Sequence, residues 1–211
     1  MGALSQSLNG VEPDLKGPGG KEEEDNLIRA CQAGDLAAFD KLVEAFQDQV
    51  YGVAYQLLRD HDEAEDIAQE VFLSCFRNIK RFRFESRFGT WLYRVTVNRV
   101  KNRWKYHQRR QRDKHDSIDE PRSDDDPRTM DLIDPGANPR KAAADRQIVE
   151  ILDEKMGALP REHQEVLVLR FIQGLQYEEI AEALDCSIGT VKSRINRARR
   201  RLREEMGDVL D

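Results

Sequence analysis

The chain has 211 residues, of which 39% are hydrophobic, 35% charged and only 7% aromatic, a balance that suits one or two small helical domains better than a sheet-rich enzyme. No stretch approaches the run of about 18 apolar residues that marks a membrane span, and Met1 to Gly20 carries neither an apolar core nor a basic start, so neither a span nor a secretory signal is expected and a cytoplasmic location is. Cys31, Cys75 and Cys186 are far apart and lack CxxC or Cys/His spacing; they read as buried free thiols rather than as a disulfide framework or a zinc site.

The net charge of −6 conceals a strong segregation. Residues 12–25 hold six acids, Glu12, Asp14, Glu22, Glu23, Glu24 and Asp25, among glycines and prolines. That composition predicts a disordered tail over 1–22. From 99 to 114 eight bases face the single acid Asp113, and from 116 to 134 eight acids face only Arg122 and Arg128. The acidic stretch, with Pro121, Pro127, Pro135 and Pro139, reads as a flexible linker over 109–143. A second basic block, Lys192, Arg194, Arg197, Arg199, Arg200, Arg201 and Arg203, has no acid between 186 and 203. Two cationic surfaces suit a polyanion, and nucleic acid is the commonest one, although a basic helix face is also often plain solvated surface.

Between 23 and 108 apolar residues recur at helical intervals: Phe39, Leu42, Val43, Phe46, Val50, Val53, Ala54, Leu57 and Leu58, then Ala64, Ile67, Ala68, Val71, Phe72, Cys75, Phe76 and Ile79. An all-α domain of three or four helices follows. Asp35, then Asp60 or Asp62, then Thr90 are the expected N-caps. On the helix predicted from about Asp62 to Lys80, residues Asp62, Asp66, Gln69 and Glu70 form a stripe opposite the apolar side, at roughly 100° per residue, and Leu73 falls inside it. An apolar residue framed by carboxylates suits docking of a basic partner helix. A solvated face and a divalent-metal cluster are the alternatives, the latter weakened because one outward stripe diverges.

The stretch Arg81 to Trp91 interleaves Phe82, Phe84, Phe88 and Trp91 with arginines, which suits stacking on the bases of a single strand. The same aromatics also read as core, with Trp91 divided between the two roles. On the following helix Trp91, Arg94, Asn98, Lys101, Asn102 and Lys105 share a side, away from Leu92, Thr96 and Val100, and form a candidate nucleic-acid face.

A second domain of about 60 residues, marginal on its own, is expected over 144–207. It opens with a helix through Ile148, Ile151 and Leu152. A further helix is predicted with Pro160 in its first turn, ending at Gly174. Tyr177, Ile180, Ala181 and Leu184 then make one stripe, and after Asp185-Cys186-Ser187 a second runs Ile188, Val191, Ile195, Ala198, Leu202. This is a helix-turn-helix pattern. The second stripe leaves Ser193, Asn196, Arg197 and Arg200 on the opposite side with Lys192 at the edge, side chains suited to base edges and phosphates. A structural hairpin with a solvated face accounts poorly for seven bases without an acid.

The segments Asp66-Ile-Ala-Gln-Glu-Val-Phe-Leu73, Phe88-Gly-Thr-Trp-Leu-Tyr-Arg-Val95, Leu159-Pro160, Tyr177-Glu-Glu-Ile-Ala181 and Gly189-Thr-Val-Lys-Ser-Arg194 together resemble bacterial RNA polymerase sigma factors of the extracytoplasmic-function (ECF) group in the sigma-70 family, over most of 25–205. The resemblance implies a sigma factor rather than an enzyme, with no cofactor, catalytic residue or metal, and a monomer when free. Its partners would be the polymerase core, through the clamp helices of the largest subunit and the flap of the second-largest, promoter DNA, and an anti-sigma factor. Asp62, Asp66, Gln69, Glu70 and Leu73 would dock on the clamp. Phe84, Glu85, Ser86, Arg87 and Phe88, with Trp91 and Arg94, would capture a flipped minus-ten base, and Asn98, Lys101 and Asn102 would contact DNA upstream. Thr190, Lys192, Ser193, Asn196, Arg197 and Arg200 would read the minus-thirty-five duplex.

Two rivals share parts of this pattern. A simple repressor would use the helix-turn-helix alone and leave the first domain unexplained. A metal-dependent nuclease built on Asp62, Asp66 and Glu70 lacks any nucleophile motif or phosphate-cradling glycine loop. His61, His107, His115 and His163 lie on polar stretches and read as surface residues.

Overall fold

The computed structural model describes residues 20–114 and 151–206, helical throughout their regular structure and without a strand among them. The tail up to residue 19 and the acidic linker from residue 115, with His115 and Ile148, lie outside the described residues.

Helix α1 (Lys21–Gln32) begins inside the segment whose composition predicted a tail. Its first turn holds Glu22, Glu23 and Glu24, where acids complement the helix macrodipole, and Ile28 and Cys31 anchor it in the core. Gly34, at φ 98°, reverses the chain in the left-handed conformation that glycine tolerates without steric cost. Asp35 then accepts from the Ala38 amide at 3.2 Å and opens α2 (Leu36–Leu58). This helix turns Leu42, Phe46, Val50, Val53, Ala54 and Leu57 inward. Asp60 caps α3 (His61–Asn78) through the Glu63 amide at 2.8 Å, so Asp62 lies in the first turn instead. A 3₁₀ turn, Ile79–Arg81, ends it.

The longest helix, α4 (Phe88–Lys114), departs from expectation at both ends. Thr90 lies within it and is no cap: its buried hydroxyl has no hydrogen-bond partner, and the Phe88 amide donates instead to Glu24 Oε1 of α1 at 3.2 Å. At the other end the helix continues through 109–114, where the linker was expected to start.

The second region comprises α5 (residues 151–157), α6 (Arg161–Leu167), a π-helical turn Val168–Ile172, α7 (Tyr177–Leu184) and α8 (Ile188–Met206). Pro160 occupies the N-cap of α6 rather than its first turn. The Gln164 side-chain Nε2 donates to Gly157 O at 2.8 Å and Leu159 O at 2.9 Å, closing the preceding turn. A capping box between Gln176 and Glu179 starts α7. Ser187 accepts from the Thr190 amide at 3.1 Å and starts α8.

The two helical regions expected on either side of the linker are present, and one cluster of buried apolar residues runs across both. Helix α4 packs on α2 and α3 and also meets α7. A region this small gains from burying Leu169, Leu175 and Ile180 in a shared core, each contributing about 1.5–3 kcal/mol. Two side chains in the predicted apolar stripes stay outside: Phe76 is 49% exposed and Ile188 38%. Nor do all histidines behave as surface residues. His61 stacks on Tyr55, its Nδ1 2.5 Å from the Tyr51 hydroxyl, and His163 has a buried Nδ1. Cys31 and Cys75 are buried as expected, whereas Cys186 is only half-buried.

Candidate nucleic-acid and polymerase interfaces

Helix α3 buries Ala64, Ile67, Val71 and Cys75 and so directs the opposite stripe outward. Asp62, Asp66, Gln69 and Leu73 are exposed, Leu73 by 56%. Glu70 differs, because its carboxylate is shared between Arg99, at 3.2 Å, and Arg103, at 3.1 Å, of α4. The stripe is therefore less acidic than its sequence, with Glu70 neutralised from behind and Asp66, though exposed, 3.9 Å from Arg103. Phe76, packed edge-on against Phe39 at 5.1 Å, and Leu36, 63% exposed, add apolar surface. Periodicity placed Phe76 in the core, whereas it is 49% exposed. Among the described residues no three His, Cys, Asp or Glu side chains converge to hold a metal.

The aromatics between α3 and α4 divide as their two readings allowed. Phe82 and Phe88 are buried, while Phe84 and Trp91 are half-buried and pack onto Phe82 at 5.2 and 5.7 Å. Arg83, Glu85 and Arg87 are exposed and Ser86 is half-exposed. Phe84 has φ 59°, a left-handed conformation that is unusual for a bulky residue. On α4, Asn98, Asn102 and Lys105 face solvent and Arg94 is half-buried. Lys101 is engaged, its Nζ lying 3.1 Å from Glu165 Oε2 of α6.

Helix α8 buries Val191, Ile195 and Ala198. The residues left exposed include Lys192, Asn196, Arg197, Arg199, Arg200 and Arg201. Ser193 is half-buried, and the Thr190 hydroxyl lies 2.9 Å from that of Ser187, so Thr190 is already engaged in the cap. Arg194 turns back to Glu162 at 2.8 Å. Asp185, at φ 51°, makes the sharp turn that sets α7 across the start of α8.

Several contributing residues escaped sequence reasoning. Glu24 and Gln32 act from α1, Glu165 from α6 and Ser187 from the turn. Ser187 alone carried a local signal, since a serine three residues before Thr190 is a standard N-cap position. Burial pushes the carboxyls of Glu165 and Glu24 above the usual range, and this is opposed by Lys101 for Glu165 and by the Phe88 amide for Glu24. Among the described residues no helix is long and apolar enough to cross a membrane.

The family described as Sigma-70 region 2 matches residues 42–110, and that described as Sigma-70, region 4 matches 149–202. The chain is similar to the RNA polymerase sigma-H factor of Pseudomonas aeruginosa, 33% identical over 190 residues that span 90% of this chain and 97% of the relative. It is 33% identical over 184 residues to the ECF RNA polymerase sigma factor SigW of Bacillus subtilis, covering 86% and 96% of the two chains. The ECF RNA polymerase sigma-E factor of Escherichia coli is 34% identical over 179 residues, covering 82% and 88%. In three dimensions the chain is similar to CnrH in complex with the cytosolic domain of CnrY, with TM-score 0.62, 21% identity and coverage of 88% and 98%. A second likeness is to RpoE in complex with the anti-sigma factor NepR from Bartonella quintana, with TM-score 0.62, 23% identity and coverage of 80% and 96%.

Proposed function

The chain belongs to the sigma-70 family, in the group of ECF sigma factors that bind RNA polymerase and direct promoter-specific initiation, and on that premise we propose that it reads promoters through two separate faces. Lys192, Ser193, Asn196, Arg197 and Arg200 of α8 contact the minus-thirty-five element as duplex, Asn and Arg donating to base edges and the other arginines to phosphates. The loop from Phe84 to Phe88, with Trp91 and Arg94, holds an unstacked minus-ten base, and Asn98, Lys101 and Asn102 follow the strand upstream. Asp62, Asp66, Gln69 and Leu73 dock on the clamp helices of the largest polymerase subunit, with Glu70 supporting them, and the second region meets the flap.

The observation that carries this reading is the division of faces on α8: three apolar residues fix it in the core while Lys192, Arg197, Arg199, Arg200, Arg201 and Arg203 point outward and, of its bases, Arg194 turns back to Glu162. No covalent step is needed. Polymerase holds both regions at the spacing of the two promoter elements, so two weak contacts act as one strong one. A pocket that accepts an unstacked base offsets the few kcal/mol that unstacking costs. In the free chain the two regions pack together and Lys101 is held by Glu165; engagement of polymerase exchanges that pair for DNA, which leaves the free protein a poor DNA binder. The structural neighbours were solved with CnrY and with the anti-sigma factor NepR, which supports an anti-sigma partner here, acting in the cytoplasm beside polymerase.

The test is run-off transcription with reconstituted polymerase on a promoter selected by the wild type. Asn196→Ala/Arg197→Ala should abolish dependence on the upstream element while core binding persists. Undiminished dependence would remove α8 from promoter reading.

A further inference from the structure

Helix α1 lies outside the residues that the region 2 family matches, yet it holds the candidate base-capturing loop at three points. The Gln32 side-chain amide has two N–H donors and both are used: Nε2 donates to Ile79 O at 3.0 Å and to Phe82 O at 2.9 Å. Those carbonyls bracket the 3₁₀ turn that launches the loop. One turn earlier the Arg29 guanidinium lies 5.1 Å from the centroid of the Phe84 ring, within cation–π range. Near the start of α1, Glu24 Oε1 accepts from the Phe88 amide where the loop becomes α4. Entry, apex and exit are thus held from one helix.

Phe84 sits at the apex with φ 59°. A bulky side chain keeps that backbone only where its surroundings over-determine it. Phe82 on one side and Arg29 on the other supply that constraint. With the backbone fixed, the exposed Arg83, Glu85 and Arg87 are presented in one arrangement, and a site that is ordered before its ligand arrives discriminates better and loses less entropy on binding.

We propose that Gln32, aided by Arg29 and Glu24, is a positioning residue for minus-ten base selection, acting through the loop and not on DNA. The proposal rests on the base-capture reading given above.

The experiment uses the full chain assembled with polymerase core. Fluorescent nontemplate-strand oligonucleotides carry the minus-ten element of a promoter active in run-off assays, with each of the four bases placed in turn at the position where wild type discriminates most. Gln32→Glu keeps the shape but loses both donors; Arg29→Ala changes an exposed side chain and leaves the core intact. A wild-type preference of about tenfold between best and worst base should fall below about threefold in Gln32→Glu, with a smaller loss in Arg29→Ala. General destabilisation would weaken all four oligonucleotides alike and leave the ratio unchanged. Retention of the wild-type ratio by both variants, while Phe84→Ala or Arg87→Ala loses it, overturns the positioning role and leaves base capture standing. Absence of any preference in wild type, unaltered by Phe84→Ala and Arg87→Ala, overturns base capture and the positioning role with it.

Discussion

Lys101 and Glu165 pair across the two regions of the chain, Nζ to Oε2 at 3.1 Å, with the Glu165 side chain 3% exposed and that of Lys101 33%. A carboxylate so nearly buried depends on the cation paired directly with it. Lys101→Ala should lower unfolding free energy by about 2 kcal/mol, the typical cost of an unmet buried charged acceptor, and Glu165→Gln in the same background should recover most of it. Urea denaturation of the two single variants and the double variant measures the coupling. Equal losses from the double variant and from Lys101→Ala alone would contradict the pair's role.

The raised carboxyl of Glu165 sets a pH dependence of definite sign. Desolvation makes the native group hold its proton more tightly than the unfolded one, so the native state binds more protons between the ordinary glutamate value and the raised one. Stability from this group is therefore greatest below that window and falls as pH rises through it. Subtracting the profile of Glu165→Gln from that of wild type, over pH about 4 to about 7, should leave a negative slope. A positive slope would mean that Lys101 outweighs burial.

The thiols of Cys31 and Cys75 are pushed up by burial to about 11 and about 12, and the thiolate is the reactive form. Native protein treated with iodoacetamide at neutral pH should be labelled at half-buried Cys186 first, with Cys31 and Cys75 reacting only after denaturation. Peptide mass spectrometry reads the order. Early labelling of Cys31 would show that α1 detaches readily.

Ser187 begins the helix whose outer face is assigned to promoter DNA. Removing its hydroxyl in Ser187→Ala exposes the Thr190 amide and should cost about 1 kcal/mol of stability, together with weaker use of the upstream promoter element. Thermal unfolding and run-off transcription on templates with and without that element test both halves. Loss of stability without any change in element use would confine Ser187 to folding.

How far the chain could be read before its structure depended on whether the deciding interaction was local. The stripes Tyr177, Ile180, Ala181, Leu184 and Val191, Ile195, Ala198 were legible because a helical face follows from spacing alone, and Asp35 and Asp60 because a cap reaches only three residues ahead. Thr90 satisfied the same local rule and failed it, since Glu24, 64 residues away in sequence, takes the amide at the helix start. Ile188 matched the stripe but lies in the first turn of α8, where little packs over it. Glu70 looked like a free acid until α4 supplied Arg99 and Arg103. Glu24 stood in a segment with the composition of a tail, and Glu165 among the polar residues that open α6, where nothing nearby in sequence marks a partner on α4. The residues that set the faces were legible; those that hold one face against another were not.

The most direct test of the two-face account is equilibrium binding of the full chain to polymerase core, wild type beside Asp66→Arg/Leu73→Asp, with promoter-dependent run-off transcription from the same preparations. The account predicts tight core binding and promoter-specific transcripts for wild type, and loss of both in the variant despite an unchanged melting transition, since both side chains are exposed. Wild-type core binding retained in full by the variant would contradict the assignment of the α3 face to polymerase.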